Sequence, residues 1–180
     1  EEINRWNKMS PGTSEKEYVQ WQRGPKSATP LEEMITWIDS CTTNDNIWLV
    51  LVFHGIEGIG WEPDPRDVID SYFNYIKSIE KDIWVATFQD VTKYIRERMR
   101  TRIDYIKDGD QIRIRLSHSL DPELYDLPLT LKTYIPETWE SVEFNQGKKS
   151  WSSNMETDEF GSYVLYESLP DTEEIILTGK

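Results

Sequence analysis

Residues Ile47-Trp48-Leu49-Val50-Leu51-Val52-Phe53 form an unbroken apolar run, and His54 and Gly55 follow it directly. A strand that is apolar on both sides must be covered on both faces, as in a parallel sheet packed between helices. Alternation puts Trp48, Val50, Val52 and His54 on one side and Ile47, Leu49, Leu51 and Phe53 on the other. The second set is expected to pack against helices. Ile83-Trp84-Val85-Ala86 predicts a second, shorter strand of the same kind.

Three helical periods surround these runs. Leu31, Met34, Ile35, Ile38 and Cys41 mark the first; Ile69, Tyr72, Phe73, Ile76 and Ile79 the second; Val91, Tyr94, Ile95, Met99 and Ile103 the third. Their starts share one chemistry. Thr29-Pro30, Asp64-Pro65 and Thr87 place a capping side chain ahead of the helix, with acids in the first turn. Arg96, Arg98, Arg100 and Arg102 read as a solvated face. Helix–strand–helix–strand–helix is the order of the tail of an α/β sheet or barrel. Two such strands close nothing, so either the sheet is very small or its other strands lie outside this sequence. Residues 1–28 are polar and irregular, with Pro11, Gly12, Gly24 and Pro25 as breakers and Trp6 and Trp21 as packing residues.

After Asp104 the pattern changes. Ile112, Ile114 and Leu116 alternate with Arg113 and Arg115, behind the turn Asp108-Gly109-Asp110. Leu129–Ile135, Ser141–Asn145, Ser162–Glu167 and Glu174–Thr178 are further strand candidates. The second half therefore predicts a small antiparallel β-sandwich of five or six strands, with a domain boundary between residues 1–104 and 105–180.

Charge narrows the partners. Asp and Glu number 33 against 20 Lys and Arg, a net charge of −13, which argues against nucleic acid because phosphate binding needs a basic footprint. No apolar run approaches the ~20 residues of a membrane span. A single cysteine, Cys41, rules out an internal disulfide framework, and two histidines are few for a metal site.

His54 is the informative side chain, because active sites of parallel α/β folds lie at the carboxyl ends of the strands. An imidazole there can exchange a proton near neutral pH; equally, it can satisfy a neighbouring carbonyl. The loop Gly55–Asp64 is long for its kind and carries Trp61, which either stacks on a sugar ring or plugs the mouth of the fold. Val52 shares the His54 side of the strand. A His-Gly pair also helps build oxyanion holes in esterases, but the G-x-S-x-G elbow they need is absent. His118 has no partner at ligand spacing and reads as a surface residue. Glu32-Glu33 and Glu173-Glu174 read as helix-dipole and solvated pairs.

The stretch Trp48–Ile56, followed by a helix and then Ile83-Trp84-Val85-Ala86-Thr87-Phe88 … Tyr94-Ile95-Arg96-Glu97-Arg98, resembles the C-terminal half of the polysaccharide deacetylases, a family of carbohydrate esterases. Asn4–Met9 and the trailing β segment are similar to a subset of that family with an extra β-domain. The resemblance implies the C-terminal part of a distorted (β/α) barrel over residues 1–104. It also implies metal-dependent hydrolysis of N- or O-acetyl groups on carbohydrate. Leu51-Val52-Phe53-His54 matches the family's Leu-x-x-His motif, which makes His54 the general acid; Val52 and Trp61, from their places beside it, are the substrate-binding candidates. Gly55 replaces the Asp that usually follows. The family's metal ligands and base are missing: there is no T-F-D-D motif and no H-x-x-x-H pair.

The expectation is therefore the C-terminal portion of a deacetylase whose intact form carries a divalent metal, zinc by the family pattern. This chain, with no cofactor of its own, would be inactive alone. Its partners would be an acetylated polysaccharide and the N-terminal half of the barrel, present as a separate chain or missing as a segment. An extracellular or cell-envelope location follows from the family. The alternative is a non-catalytic carbohydrate-binding or interaction module in which Trp61, Trp139 or Trp151 stacks on sugars. A third reading makes the β-domain purely structural.

Overall fold

The apolar run is a strand, and its partner lies upstream, in a segment whose sequence reads as irregular. In the computed structural model, which describes residues 19–44 and 47–180, β1 (Val19–Arg23) and β2 (Ile47–Leu51) pair in parallel, Val19 opposite Ile47 and Arg23 opposite Leu51. Trp6, Pro11, Gly12 and the Asn4–Met9 stretch lie outside the described residues. Helix α1 (Leu31–Thr43) connects the two strands. Ile47, Leu49, Leu51 and Phe53 pack with Trp21, Met34, Trp37 and Ile38, as alternation requires. After β2 come the short strands β3 (Gly55–Ile56) and β4 (Ile59–Gly60), then α2 (Arg66–Ser78), which adds Tyr72 and Ile76 to the same core. Residues Glu1–Phe88 form one unit and Gln89–Lys180 a second.

Two helix starts differ from expectation. The hydroxyl of Thr29 accepts the Lys26 N–H at 2.9 Å and closes a turn ahead of α1 instead of capping it. Asp64 faces inward and leaves α2 without a side-chain cap. Both helices begin after a proline, which needs no N–H partner at that place.

The (β/α) barrel portion is not seen. Strand accounts for 38% and helix for 25%, with three helices and several small sheets. Among the described residues β1–β2 is the one parallel sheet. Residues 83–86, expected to supply the next barrel strand, are irregular, with Trp84 57% and Val85 65% exposed. The physical reason is that an apolar tetrapeptide becomes a strand only beside a neighbour that takes up its backbone hydrogen bonds, and no described strand flanks it.

The second unit opens with most of α3 (Phe88–Arg100), whose buried residue is Glu97. The helix stops before Ile103, which the helical period had included; Ile103 sits instead in β5 (Arg102–Asp108). Next come β6 (Gln111–Ser117), β7 (Leu129–Tyr134), β8 (Val142–Gln146), β9 (Lys149–Ser152), β10 (Met155–Asp158), β11 (Gly161–Ser168) and β12 (Ile175–Gly179). They form two antiparallel sheets, in the orders β5-β6-β12-β8-β9 and β10-β11-β7. Ile112, Ile114 and Leu116 from β6, Phe144 from β8, Leu177 from β12, Leu131 from β7 and Val164 and Tyr166 from β11 share one core. Phe144 lies at its centre, stacked on Trp151 at 5.2 Å and tilted against Tyr166 at 4.9 Å. Every residue of β5 is exposed, on both faces.

Candidate functional site

Parallel strands end on the same edge of their sheet, so the loop after β1 and the loop after β2 come together. His54 stands at that edge, three residues beyond β2, and its side chain is exposed. The following loop is built rather than loose. Gly55 and Ile56 pair with Gly60 and Ile59 across a two-residue turn, Glu57-Gly58, with φ of 52° and 81°. Both values are those of the turn that suits a tight hairpin. The Asp64 N–H donates to the Gly55 carbonyl at 3.1 Å and the Glu57 N–H to the Asp64 carbonyl at 3.0 Å, folding the loop back on itself.

This loop holds Trp61 beside His54, the two rings 4.9 Å apart and edge to face at 80°. Trp61 is 59% exposed, a large apolar area for a solvated loop. The loop after β1 completes the rim. The Ser27 N–H and hydroxyl both donate to one carboxylate oxygen of Glu62, at 3.2 and 3.0 Å. The Lys26 ammonium lies 5.9 Å from the centre of the Trp61 ring. Glu62 holds φ at 47°, an αL conformation that costs a non-glycine residue roughly 1–2 kcal/mol. The two bonds from Ser27 tie the Glu62 side chain to the loop after β1, beside Trp61.

Asp64 lies beneath, 1% exposed, and one of its carboxylate oxygens has no hydrogen-bond partner among the described residues. Burial, and then the negative charge of Glu62, push its carboxyl above the ordinary aspartate range, while His54 draws it the other way.

Val52, expected to touch substrate, has a backbone that locks the sheet. Its N–H donates to the Arg23 carbonyl at 2.9 Å, and its own carbonyl lies where a Cβ on Gly24 would stand, 2.5 Å away. Gly55 occupies the place where the deacetylase pattern has Asp. A Cβ there would lie 2.1 Å from the Ile59 carbonyl oxygen, so the hairpin excludes a side chain. Glu62 lies in the loop that the sequence singles out; Ser27 escapes a sequence reading because β1 lies in a segment that reads as irregular, and with that strand in place the shared edge points to it.

Of the two sandwich tryptophans, Trp139 is 5% exposed and Trp151 is partly buried against the core, so neither offers a free ring face. His118 is not on the surface. Its side chain is 2% exposed, with Nδ1 3.1 Å from an Asp171 carboxylate oxygen. Nearby, buried Glu97 accepts the Leu127 N–H at 3.1 Å. Burial pushes the Glu97 carboxyl up; the Leu127 bond and the charges of His118 and Lys93 pull it down, and Asp126 adds to the rise. This cluster ties the 118–128 loop to α3.

A zinc site needs about three protein ligands. Among the described residues no three His, Cys, Asp or Glu side chains stand in a metal-holding arrangement. The residues around His54 do not fit the metal that the deacetylase resemblance implies.

No family model matches the chain, and no solved structure matches it. The chain is similar to a gellan lyase from a Bacillus species, 25% identical over 132 residues, which is 69% of this chain and 5% of that protein. The chain thus spans a small fraction of that relative's length.

Proposed function

We propose that the chain is a non-catalytic carbohydrate-binding segment of a longer polysaccharide-acting protein, with the Trp61 rim as its contact. The observation that carries this reading is a tryptophan more than half exposed whose ring packs edge to face on His54, next to the Ser27–Glu62 hydrogen bonds. An amphipathic ring packed beside polar groups presents area to a sugar at small entropic cost. The distant likeness to a gellan lyase supports the choice of polysaccharide as ligand class.

The test is affinity electrophoresis of the 180-residue chain in gels cast with gellan. Retardation is expected, and Trp61→Ala should weaken it about tenfold, the equivalent of one lost aromatic contact. Equal retardation of the two proteins would remove Trp61 from the reading.

A second reading keeps His54 as proton donor in a longer deacetylase, and it is favoured by the exposed imidazole at the end of a parallel strand. There His54→Ala would lower turnover by ~10²–10⁴, the range for loss of a general acid. Unaltered turnover would dismiss it.

A further inference from the structure

The outer face of the three-stranded sheet carries a second group of aromatic side chains. Tyr134 on β7 is paired in register with Tyr163 on β11, and Tyr163 with Glu156 on β10, so these three form one row across the sheet. Strand spacing makes that row roughly 10 Å long. The two tyrosine rings meet edge to face at 5.9 Å. Phe160, in the turn between β10 and β11, stands edge to face with Tyr134 at 6.4 Å, and the two rings make an open corner.

Polar groups surround this corner and are already ordered. The Tyr134 hydroxyl donates to Asp158 at 2.9 Å, and the Tyr163 hydroxyl to Glu156 at 2.8 Å. The Lys132 ammonium is paired with Asp158 and sits 3.9 Å above the Tyr163 ring. Asp158 also accepts the Phe160 N–H at 2.8 Å, which sets the turn that displays the phenyl ring.

Cross-strand aromatic pairs stabilise sheets, and that accounts for Tyr134 and Tyr163. It does not account for Phe160. This ring is 75% exposed at the tip of a turn, belongs to no strand and contributes nothing to the sandwich core. A phenyl group held out in water needs another explanation, and an exposed apolar patch rimmed by polar groups marks a binding surface.

We infer that this corner binds uncharged pyranose rings of a polysaccharide, with Phe160 and Tyr134 against their apolar faces and Asp158, Glu156 and Lys132 on their hydroxyls. Charge selects the ligand class. Lys132 is neutralised by Asp158, and Glu156, Glu159 and Glu167 remain on or beside this face, so its local charge is negative. A polymer bearing carboxylates would be repelled, whereas a neutral sugar meets donors and acceptors fixed in advance. The inference rests on the carbohydrate reading given above but uses a separate surface in the other unit.

The test is an amide-resolved NMR titration of the full chain with cellohexaose, an uncharged hexasaccharide, and in parallel with a galacturonate hexamer. Cellohexaose should shift the amides of Tyr134, Phe160 and Tyr163. Phe160→Ala should weaken binding about tenfold; the variant will fold, because that side chain lies outside the core. The galacturonate hexamer should leave the face unshifted. Shifts confined to residues around Trp61 would overturn this inference and leave the earlier reading standing. Shifts confined to the Tyr134–Phe160 corner would do the reverse. The absence of shifts anywhere, or unchanged affinity in Phe160→Ala, would overturn it as well.

Discussion

Gly179, the last residue of β12, is where the sandwich leaves least room. A Cβ built there would lie 2.0 Å from Cδ2 and Cε2 of Trp139 and 2.3 Å from Cγ. Carbon atoms settle at about 3.5–4.0 Å, so Gly179→Ala requires the indole or the strand to retreat by about 1.5 Å. Neither is free to do so. The Trp139 N–H donates to the Pro136 carbonyl at 3.1 Å, the Glu140 N–H to the Lys180 carbonyl at 2.7 Å, and the Gly179 N–H to the Asp110 carbonyl at 3.0 Å. Over-packing costs about 1–3 kcal/mol, and the rigid partners place this case at the upper end. For a unit of this size, the midpoint of thermal unfolding should fall by roughly 10–20 °C. Near-ultraviolet circular dichroism of the full chain would follow it. Trp139→Leu removes part of the obstruction, so Gly179→Ala should cost much less in that background. A shift of only a degree or two in Gly179→Ala, or the same penalty with and without Trp139, would show that the ring does not rest on Gly179.

Gly55→Ala puts a methyl group 2.1 Å from the Ile59 carbonyl oxygen. It should open the β3–β4 hairpin at a cost of about 1–3 kcal/mol and abolish retardation by gellan, while helical circular dichroism stays unchanged; intact retardation would refute it. Glu97→Gln tests the buried carboxyl of α3. Burial raises its folded-state pKa, so the folded state holds the proton more tightly than the unfolded state. Stability from this group is therefore present at low pH and is lost as pH rises from the ordinary glutamate range through the raised value. The thermal midpoint of the wild type should fall relative to Glu97→Gln between acidic and neutral pH, and parallel curves would contradict the assignment.

Much of the second unit was legible because a half-wet strand writes its burial into alternate residues. Ile112, Ile114 and Leu116, and the candidates near Leu129, Ser141, Ser162 and Glu174, fall in β6, β7, β8, β11 and β12. β9 and β10 were not legible: Lys149–Ser152 and Met155–Asp158 are four-residue edge strands with little apolar content, defined by their neighbours. The run ending at Phe53 announced a strand covered by helices but not how many strands stood beside it. That number depends on pairings remote in sequence, and the barrel expectation failed there. Capping was misread at Thr29 and Asp64 because a short polar side chain can serve a turn, or be buried, as readily as a helix start. At the rim, His54 and Trp61 were readable from their places after β2. The Ser27–Glu62 latch joins loops from two different strands and has no local signature.

The open flank of β5 has a consequence for handling the chain. Among the described residues no strand pairs with its outer rim, where alternate residues turn amide and carbonyl groups outward, and Ile103, Tyr105 and Ile106 are exposed. Arg102, Asp104, Lys107 and Asp108 are set among them, and hydrated charge on a rim discourages a foreign strand from adding to it. These four side chains thus work as wardens of solubility. Exchanging them for threonine or valine should leave the fold intact and raise the tendency of the rim to add a foreign strand.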